Sequence, residues 1–338
     1  MYPTTRDYWE RASLVRVFVT QPIPERALQH LREAVDVEMF SDPSRILPYD
    51  YLLAAVRHCE ILYCLLHDRV DARVIEEGKS LRLIASSAIT PANIDVAAAS
   101  LRKIPVTVIP NVVAEATADL QWGLLIGVAR RILEADRALR RGVFAGSQST
   151  YFIGGEVNGR TLGTIGLGAI GRATVRRAHG FGMRVLYTKR QRLPSHEEET
   201  LGIVFRTLDE LLAEGDFVVV NAAYHQGTYH LIGTREFALM KSTAYLINTS
   251  RGPIVDEAAL VDALKRRIIA GAGLDVYEGE PLVHPELPVL DNVILTPHIG
   301  SAARETRERS ASVVVDNILA FLKGDRPPNV FNTEIYPT

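Results

Sequence analysis

Residues 161–192, TLGTIGLGAIGRATVRRAHGFGMRVLYTKRQR, limit what this chain can fold into more than any other stretch. Residues 162 to 165 are apolar and β-branched enough for a short buried strand. Gly166, Gly168 and Gly171 then follow in G-x-G-x-x-G order where a helix begins, and a second strand is predicted over 184–187. Glycines also serve ordinary tight turns, so the frame of strand, helix and strand carries the reading. A helix N-terminus offers unpaired N–H groups and partial positive charge to a pyrophosphate, and the missing side chains let the phosphates come close. The spacing predicts a dinucleotide site with Gly166, Gly168, Ala169, Ile170 and Gly171 along the pyrophosphate.

The end of the second strand bears on which dinucleotide. An NAD site usually has an Asp or Glu there to accept from the ribose hydroxyls. This chain reads Tyr187-Thr188-Lys189-Arg190-Gln191-Arg192, with no carboxylate. A carboxylate repels a 2′-phosphate, whereas Lys189, Arg190 and Arg192 offer charge-assisted bonds of about 1.5–3 kcal/mol each. NADP is the expected cofactor, and NAD with a solvated basic turn is the other reading.

At 338 residues, two domains of ordinary size are expected. A net charge of −2 gives no general attraction to nucleic acid or anionic membrane, so a small-molecule partner is expected. No stretch offers about 18 uninterrupted apolar residues, and a cytoplasmic location is the expectation. Cys59 and Cys64 flank the apolar run EILY. Strand alternation puts them on opposite faces as reduced thiols, and no metal site is expected.

Upstream, strand-like and helical segments alternate from residue 15 to residue 109, which implies a parallel sheet with crossover helices. Residues 1–14 read as an extension. Residues 115–141 read as one long helix, apolar nearly all round in its middle, which predicts a buried face and a homodimer. Beyond residue 192, the stretch 194–200 reads as acidic and exposed, strands are expected over 217–220, 244–248, 269–274 and 293–295, and a final helix over 304–322. The fold class is α/β, with two Rossmann-like doubly wound domains. Residues 1–112 plus 300–338 form the substrate domain, and 113–299 the dinucleotide-binding domain.

Several ordered stretches carry a family resemblance: AEATADL at 114–120, TIGLGAIGR at 164–172, INTSRGPIVDEAAL at 247–260, AGLDVYEGEP at 272–281 and TPHIGSA at 296–302. Over nearly its whole length the chain resembles the D-isomer-specific 2-hydroxyacid dehydrogenases. Its basic run YTKRQR is most similar to the glyoxylate and hydroxypyruvate reductase branch, whose members often use NADPH. The resemblance implies a dinucleotide domain inserted into a flavodoxin-like substrate domain. It also implies reduction of a small 2-keto acid to the D-2-hydroxy acid.

Such a reduction needs an anchor for the carboxylate, a positive pole for the developing alkoxide and a proton for its oxygen. Arg251 follows a strand in NTSRG, where open α/β sheets bind ligands, and its planar guanidinium holds a carboxylate oxygen and a keto oxygen together. His298 is an imidazole on the same rim, suited to exchange a proton near neutral pH. The resemblance assigns these roles, and pairs His298 with Glu280, the carboxylate directly before Pro281, which orients the ring and favours its charged form. Glu278, two residues earlier, is expected to be solvated. Thr117, Ser250 and Asp275 match family positions near the nicotinamide, with Asp275 placed to bond the carboxamide.

Two departures from the family pattern bear on the substrate. The family's Val-Gly-aromatic-Asp-Asn stretch grips the substrate carboxylate through backbone N–H groups; here Ile89-Thr90-Pro91-Ala92-Asn93 stands in its place. Thr90 adds a side chain and Pro91 removes a donor, so binding is expected from the amides of Ala88, Ile89 or Thr90 in a reshaped pocket. Asn221 to Thr228 also replaces a usual Pro-Leu-Thr-Pro. Two other functions stay open at this point: a same-fold enzyme acting on phosphite or a bulkier keto acid, and a dinucleotide-sensing protein like the corepressor relatives.

Overall fold

A computed structural model describes residues 15–110 and 112–336, so the 1–14 extension lies outside the described residues. The chain divides into two compact units, one running to Val112 and resuming at Ala303, the other Val113–Ala302.

The first unit alternates β1 (Arg16–Val19), α1 (Glu25–Arg32), β2 (Asp36–Met39), α2 (Tyr49–Val56), β3 (Ile61–Cys64), α3 (Ala72–Glu77), β4 (Leu83–Ser86), α4 (Val96–Leu101) and β5 (Val106–Thr107). The strands pair in parallel in the order β2-β1-β3-β4-β5, a doubly wound arrangement. Every residue of β3 and β4 is buried, because crossover helices leave a parallel sheet no wet face. Both cysteines are free and pack in one apolar cluster with Phe18, Leu62 and Val74, not on opposite faces. Cys59 lies before β3 begins, so strand alternation does not govern it, and burial pushes its thiol up to about 12. The helix Arg304–Leu322 rejoins this unit and packs on α1 and β4.

The second unit runs α5 (Ala114–Ala129), α6 (Ile132–Arg140), β6 (Thr161–Ile165), α7 (Ala169–Gly180), β7 (Arg184–Thr188), α8 (Ser195–Leu201), β8 (Ile203–Phe205), α9 (Leu208–Glu214), β9 (Phe217–Val220), α10 (Thr234–Leu239), β10 (Tyr245–Asn248), α11 (Glu257–Lys265), β11 (Gly271–Leu274) and β12 (Val293–Leu295). Its parallel order is β12-β11-β10-β9-β6-β7-β8, so winding reverses between β6 and β9. Ligands of open α/β sheets bind beyond the strand ends at such a reversal. This is the Rossmann arrangement, and its strands fall within a few residues of the segments read from the sequence, except β8, which the sequence reading passed over.

The single helix expected over 115–141 is two helices, because the chain breaks at Arg131, whose φ is +54°. The backbone of Gly154 and Gly155 crosses the break. The N–H of Gly155 donates to the Ala129 carbonyl at 2.8 Å, and a Cβ on Gly154 would stand 2.2 Å from that oxygen. The Arg131 guanidinium then bonds Glu134 in α6 at 2.6 and 2.8 Å and lies over the Phe152 ring.

Candidate active site

The three glycines beyond β6 have different tasks. Gly166 has φ +93°, and a Cβ there would lie 2.6 Å from the backbone of Asn221, just past β9. A Cβ on Gly171 would reach within 2.9 Å of the Gly166 carbonyl. Gly168, the extended residue before α7, would meet nothing within 4 Å. Two glycines therefore permit close packing and the third leaves open space before the first-turn amides of a twelve-residue helix, Ala169, Ile170 and Gly171 among them. That cradle fits a pyrophosphate.

A buried side chain that the sequence reading passed over braces this turn. Gln121 on α5 donates from Nε2 to Asn221 Oδ1 and to Thr249 Oγ1, both at 2.7 Å, and accepts from Thr174 Oγ1 of α7 at 2.5 Å. Asn221 Nδ2 donates to Thr164 Oγ1, which donates to the Gly166 carbonyl. The signal was a glutamine inside a helix apolar nearly all round, since a buried amide requires partners.

At the end of β7 the basic run divides. Lys189 and Arg190 have no ionic partner among the described residues. Arg192 does: its Nε and Nη2 bond both oxygens of Glu198 at 2.8 and 2.7 Å. Tyr187 donates its hydroxyl to the same carboxylate at 2.5 Å, and Arg192 also covers the Phe205 ring. The stretch read as acidic and exposed is largely α8, and its Glu198 is buried against these groups. Arg192 is thus held within its own loop, unlike the free cation expected at that position.

Beyond β10, Asn248 shapes the next turn: its Oδ1 accepts from the Ser250 amide and its Nδ2 donates to the Arg251 carbonyl. Ser250 Oγ donates to the Ala222 carbonyl at 2.5 Å, tying this turn to the one after β9. Arg251 is half-buried. Desolvation pulls its guanidinium below its ordinary value, and the negative charge of Glu280 opposes that pull.

His298 sits beyond β12 in left-handed backbone, φ +53°. Its loop hangs on Asp275, which is buried at the end of β11. Asp275 Oδ1 accepts from Thr296 Oγ1 and the Ile299 amide, Oδ2 accepts from the Gly300 amide, and its carbonyl accepts from the His298 amide. Burial raises this carboxyl. Thr117 on α5 donates back to the Val113 carbonyl and packs beneath Gly300, where a Cβ would lie 3.4 Å from its methyl. His298 Nδ1 stands 2.7 Å from Glu280 Oε2, and Glu280 Oε1 accepts from the Tyr277 amide at 2.9 Å. That contact fixes the orientation of the imidazole ring. Arg251, Glu280 and His298, read from three distant stretches, therefore meet within one unit.

Glu278 is not the solvated residue expected. Its Oε1 is 2.6 Å from His230 Nε2, and its Oε2 accepts from the Glu257 amide. Past β9, Tyr224 is exposed and His225 caps its own short turn. In the first unit, Ala88, Ile89 and Thr90 follow β4. The Ala88 amide donates to Ser86 Oγ at 3.2 Å, while those of Ile89 and Thr90 have no partner among the described residues.

Residues 122–300 match the family model described as D-isomer specific 2-hydroxyacid dehydrogenase, NAD binding domain. A glyoxylate reductase of Thermococcus gammatolerans is 46% identical over 324 residues, covering 95% of this chain and 96% of that one. A crystal structure of a Thermus thermophilus protein superposes with a TM-score of 0.89 at 42% identity, over 94% of this chain and all of that one. The NADPH-dependent glyoxylate/hydroxypyruvate reductase of Sinorhizobium meliloti, solved with NADP and malonate, gives 0.81 at 30% identity over 96% of this chain and 99% of its own.

Proposed function

This chain belongs to the D-isomer-specific 2-hydroxyacid dehydrogenases, and we propose that it is an NADPH-preferring reductase of a small 2-keto acid of glyoxylate or hydroxypyruvate type, giving the D-2-hydroxy acid. The observation that carries this reading is the Arg251, Glu280 and His298 constellation. When bound, the reduced nicotinamide supplies the hydride. Arg251 holds a carboxylate oxygen and the keto oxygen, so its charge faces the alkoxide as it forms. His298 gives that oxygen a proton from Nε2, and Glu280 holds the ring through Nδ1. Thr117, Ser250 and Asp275 frame the nicotinamide; Asp275 does so chiefly by fixing the His298 loop.

The unpaired Lys189 and Arg190 support NADPH over NADH. The Ile89 and Thr90 amides are read as the carboxylate cradle. With the Ala88 amide engaged and Pro91 lacking one, the Ile89 and Thr90 amides are the donors this turn offers a carboxylate. Exposed apolar residues on and beyond α6, Leu139 at 60%, Phe144 at 75% and Ile153 at 61%, support a homodimer. Two buried free thiols support a reducing, cytoplasmic setting, and no helix among the described residues is long and apolar enough to cross a membrane.

The deciding experiment is an activity matrix of NADPH and NADH against glyoxylate, hydroxypyruvate, pyruvate and a branched keto acid, and of NADP+ and NAD+ against phosphite in the oxidative direction. Fastest turnover with NADPH and a two- or three-carbon keto acid is expected. Turnover confined to phosphite would replace this reading with the atypical-substrate one, and none at all would leave a dinucleotide sensor.

A further inference from the structure

We propose that His230 and Glu278 form a positioning pair for this reaction, tying the turn that carries Arg251 to the turn that carries Glu280 and so setting His298 relative to the guanidinium. The inference rests on the function proposed above. His230 reaches both turns. Its backbone N–H donates to the Pro253 carbonyl at 2.9 Å, two residues past Arg251, and its ring Nε2 lies 2.6 Å from Glu278 Oε1, two residues before Glu280.

The two turns also touch directly. Gly252 abuts Tyr277 and Glu278 so closely that a Cβ would lie 1.9 Å from the Tyr277 carbonyl carbon. Glu257, opening α11, adds a reciprocal bond: its amide donates to Glu278 Oε2 and its Oε2 accepts from the Glu278 amide at 2.8 Å. One turn therefore carries two carboxylates, Glu278 and Glu280, each set against its own imidazole. His230 holds its place in left-handed backbone, φ +48°, with the Tyr229 ring stacked on it at 3.9 Å. The groups facing its ring are Tyr229, Asp256 and Glu278, the Asp256 carboxylate 3.8 Å from Nδ1. Continuous strand pairing ends with β10 and β11, and beyond them only isolated bridges, Ile232 with Val255 and Gly279 with Leu282, hold the two turns. The His230 side chain adds a tie between the two turns, each of which has its own bridge, and small misplacements of reacting groups are large effects on rate.

Glu278→Ala, Glu278→Gln and His230→Asn in the full chain test this; Asn suits the left-handed backbone at 230. Glu278→Ala and His230→Asn should lower kcat/KM for the keto acid by about tenfold or more while KM for NADPH stays within about twofold. Glu278→Gln still accepts from the ring N–H and should restore most of the rate. A merely structural role would lower thermal stability and leave kcat/KM of the folded variants at the wild-type value. Wild-type kcat/KM in either folded variant overturns the pair, and His230→Asn decides if Glu278→Ala does not fold. A wild-type chain inactive on every keto acid overturns the underlying function, and the pair with it.

Discussion

Arg192 gives its Nε and Nη2 to the two oxygens of Glu198 at 2.8 and 2.7 Å, so one of three cations in the basic run is already neutralised within its loop. The proposed NADPH preference assigns a 2′-phosphate to Lys189 and Arg190. Replacing both with Ala should raise KM for NADPH by about tenfold or more and leave NADH within about threefold, since each charge-assisted bond contributes about 1.5–3 kcal/mol before solvent screening. Arg192→Ala should change that ratio little. Steady-state titrations with the two cofactors decide it, and equal losses for both would sink the assignment of the pair to the phosphate.

The same carboxylate predicts an acid sensitivity. The Arg192 guanidinium, then the Tyr187 hydroxyl, hold Glu198 down to about 2, against an ordinary glutamate value of 4.5. A depressed folded value stabilises the protein fully above the unfolded value and loses that contribution as pH falls toward the folded one. Wild-type thermal stability should therefore drop more steeply between about pH 4.5 and 2 than that of Glu198→Gln, which has no proton to take up. Parallel melting curves across that range would remove the ion pair from the stability of the unit.

His298→Ala should cut turnover by about 10²–10⁴ while the chain still binds NADPH, because proton donation is lost and the glycine cradle is untouched. Tryptophan-to-nicotinamide energy transfer measures binding, and NADPH consumption measures turnover. Near-normal turnover in a folded variant would mean that the proton comes from elsewhere.

The parts of this molecule legible in the sequence are those written locally or in short motifs. Glycine spacing marked the turn after β6, and alternation of apolar runs marked nearly every strand, because both depend on neighbours in sequence. Arg251, Glu280 and His298 were named through motifs in three separate stretches; their meeting depends on the order of β10, β11 and β12, which no local pattern states. What escaped was pairing across sequence distance. Arg192 looks like a free cation until α8 folds Glu198 against it, and Glu278 looks solvated until His230 arrives from 48 residues away. The break at Arg131 was hidden for the same reason, since the backbone that caps Ala129 comes from Gly155.

Gln121 offers the sharpest test of such distant pairing. Its amide bonds Asn221, Thr249 and Thr174, and through Asn221 and Thr164 it reaches the Gly166 carbonyl at the dinucleotide turn. Gln121→Leu keeps similar bulk and leaves Asn221 Oδ1 without its donor. Removing one partner from a buried polar group costs on the order of 1–3 kcal/mol. Urea unfolding should show a loss of that size. Asn221 stands against Gly166, so the turn loosens as well, and KM for NADPH should rise by several-fold with keto-acid KM less affected. Gln121→Glu keeps an acceptor for Thr174 but loses the amide donors, so it should fall closer to Leu than to wild type. Unchanged stability and unchanged NADPH affinity in Gln121→Leu would show that the turn is held by its glycines alone.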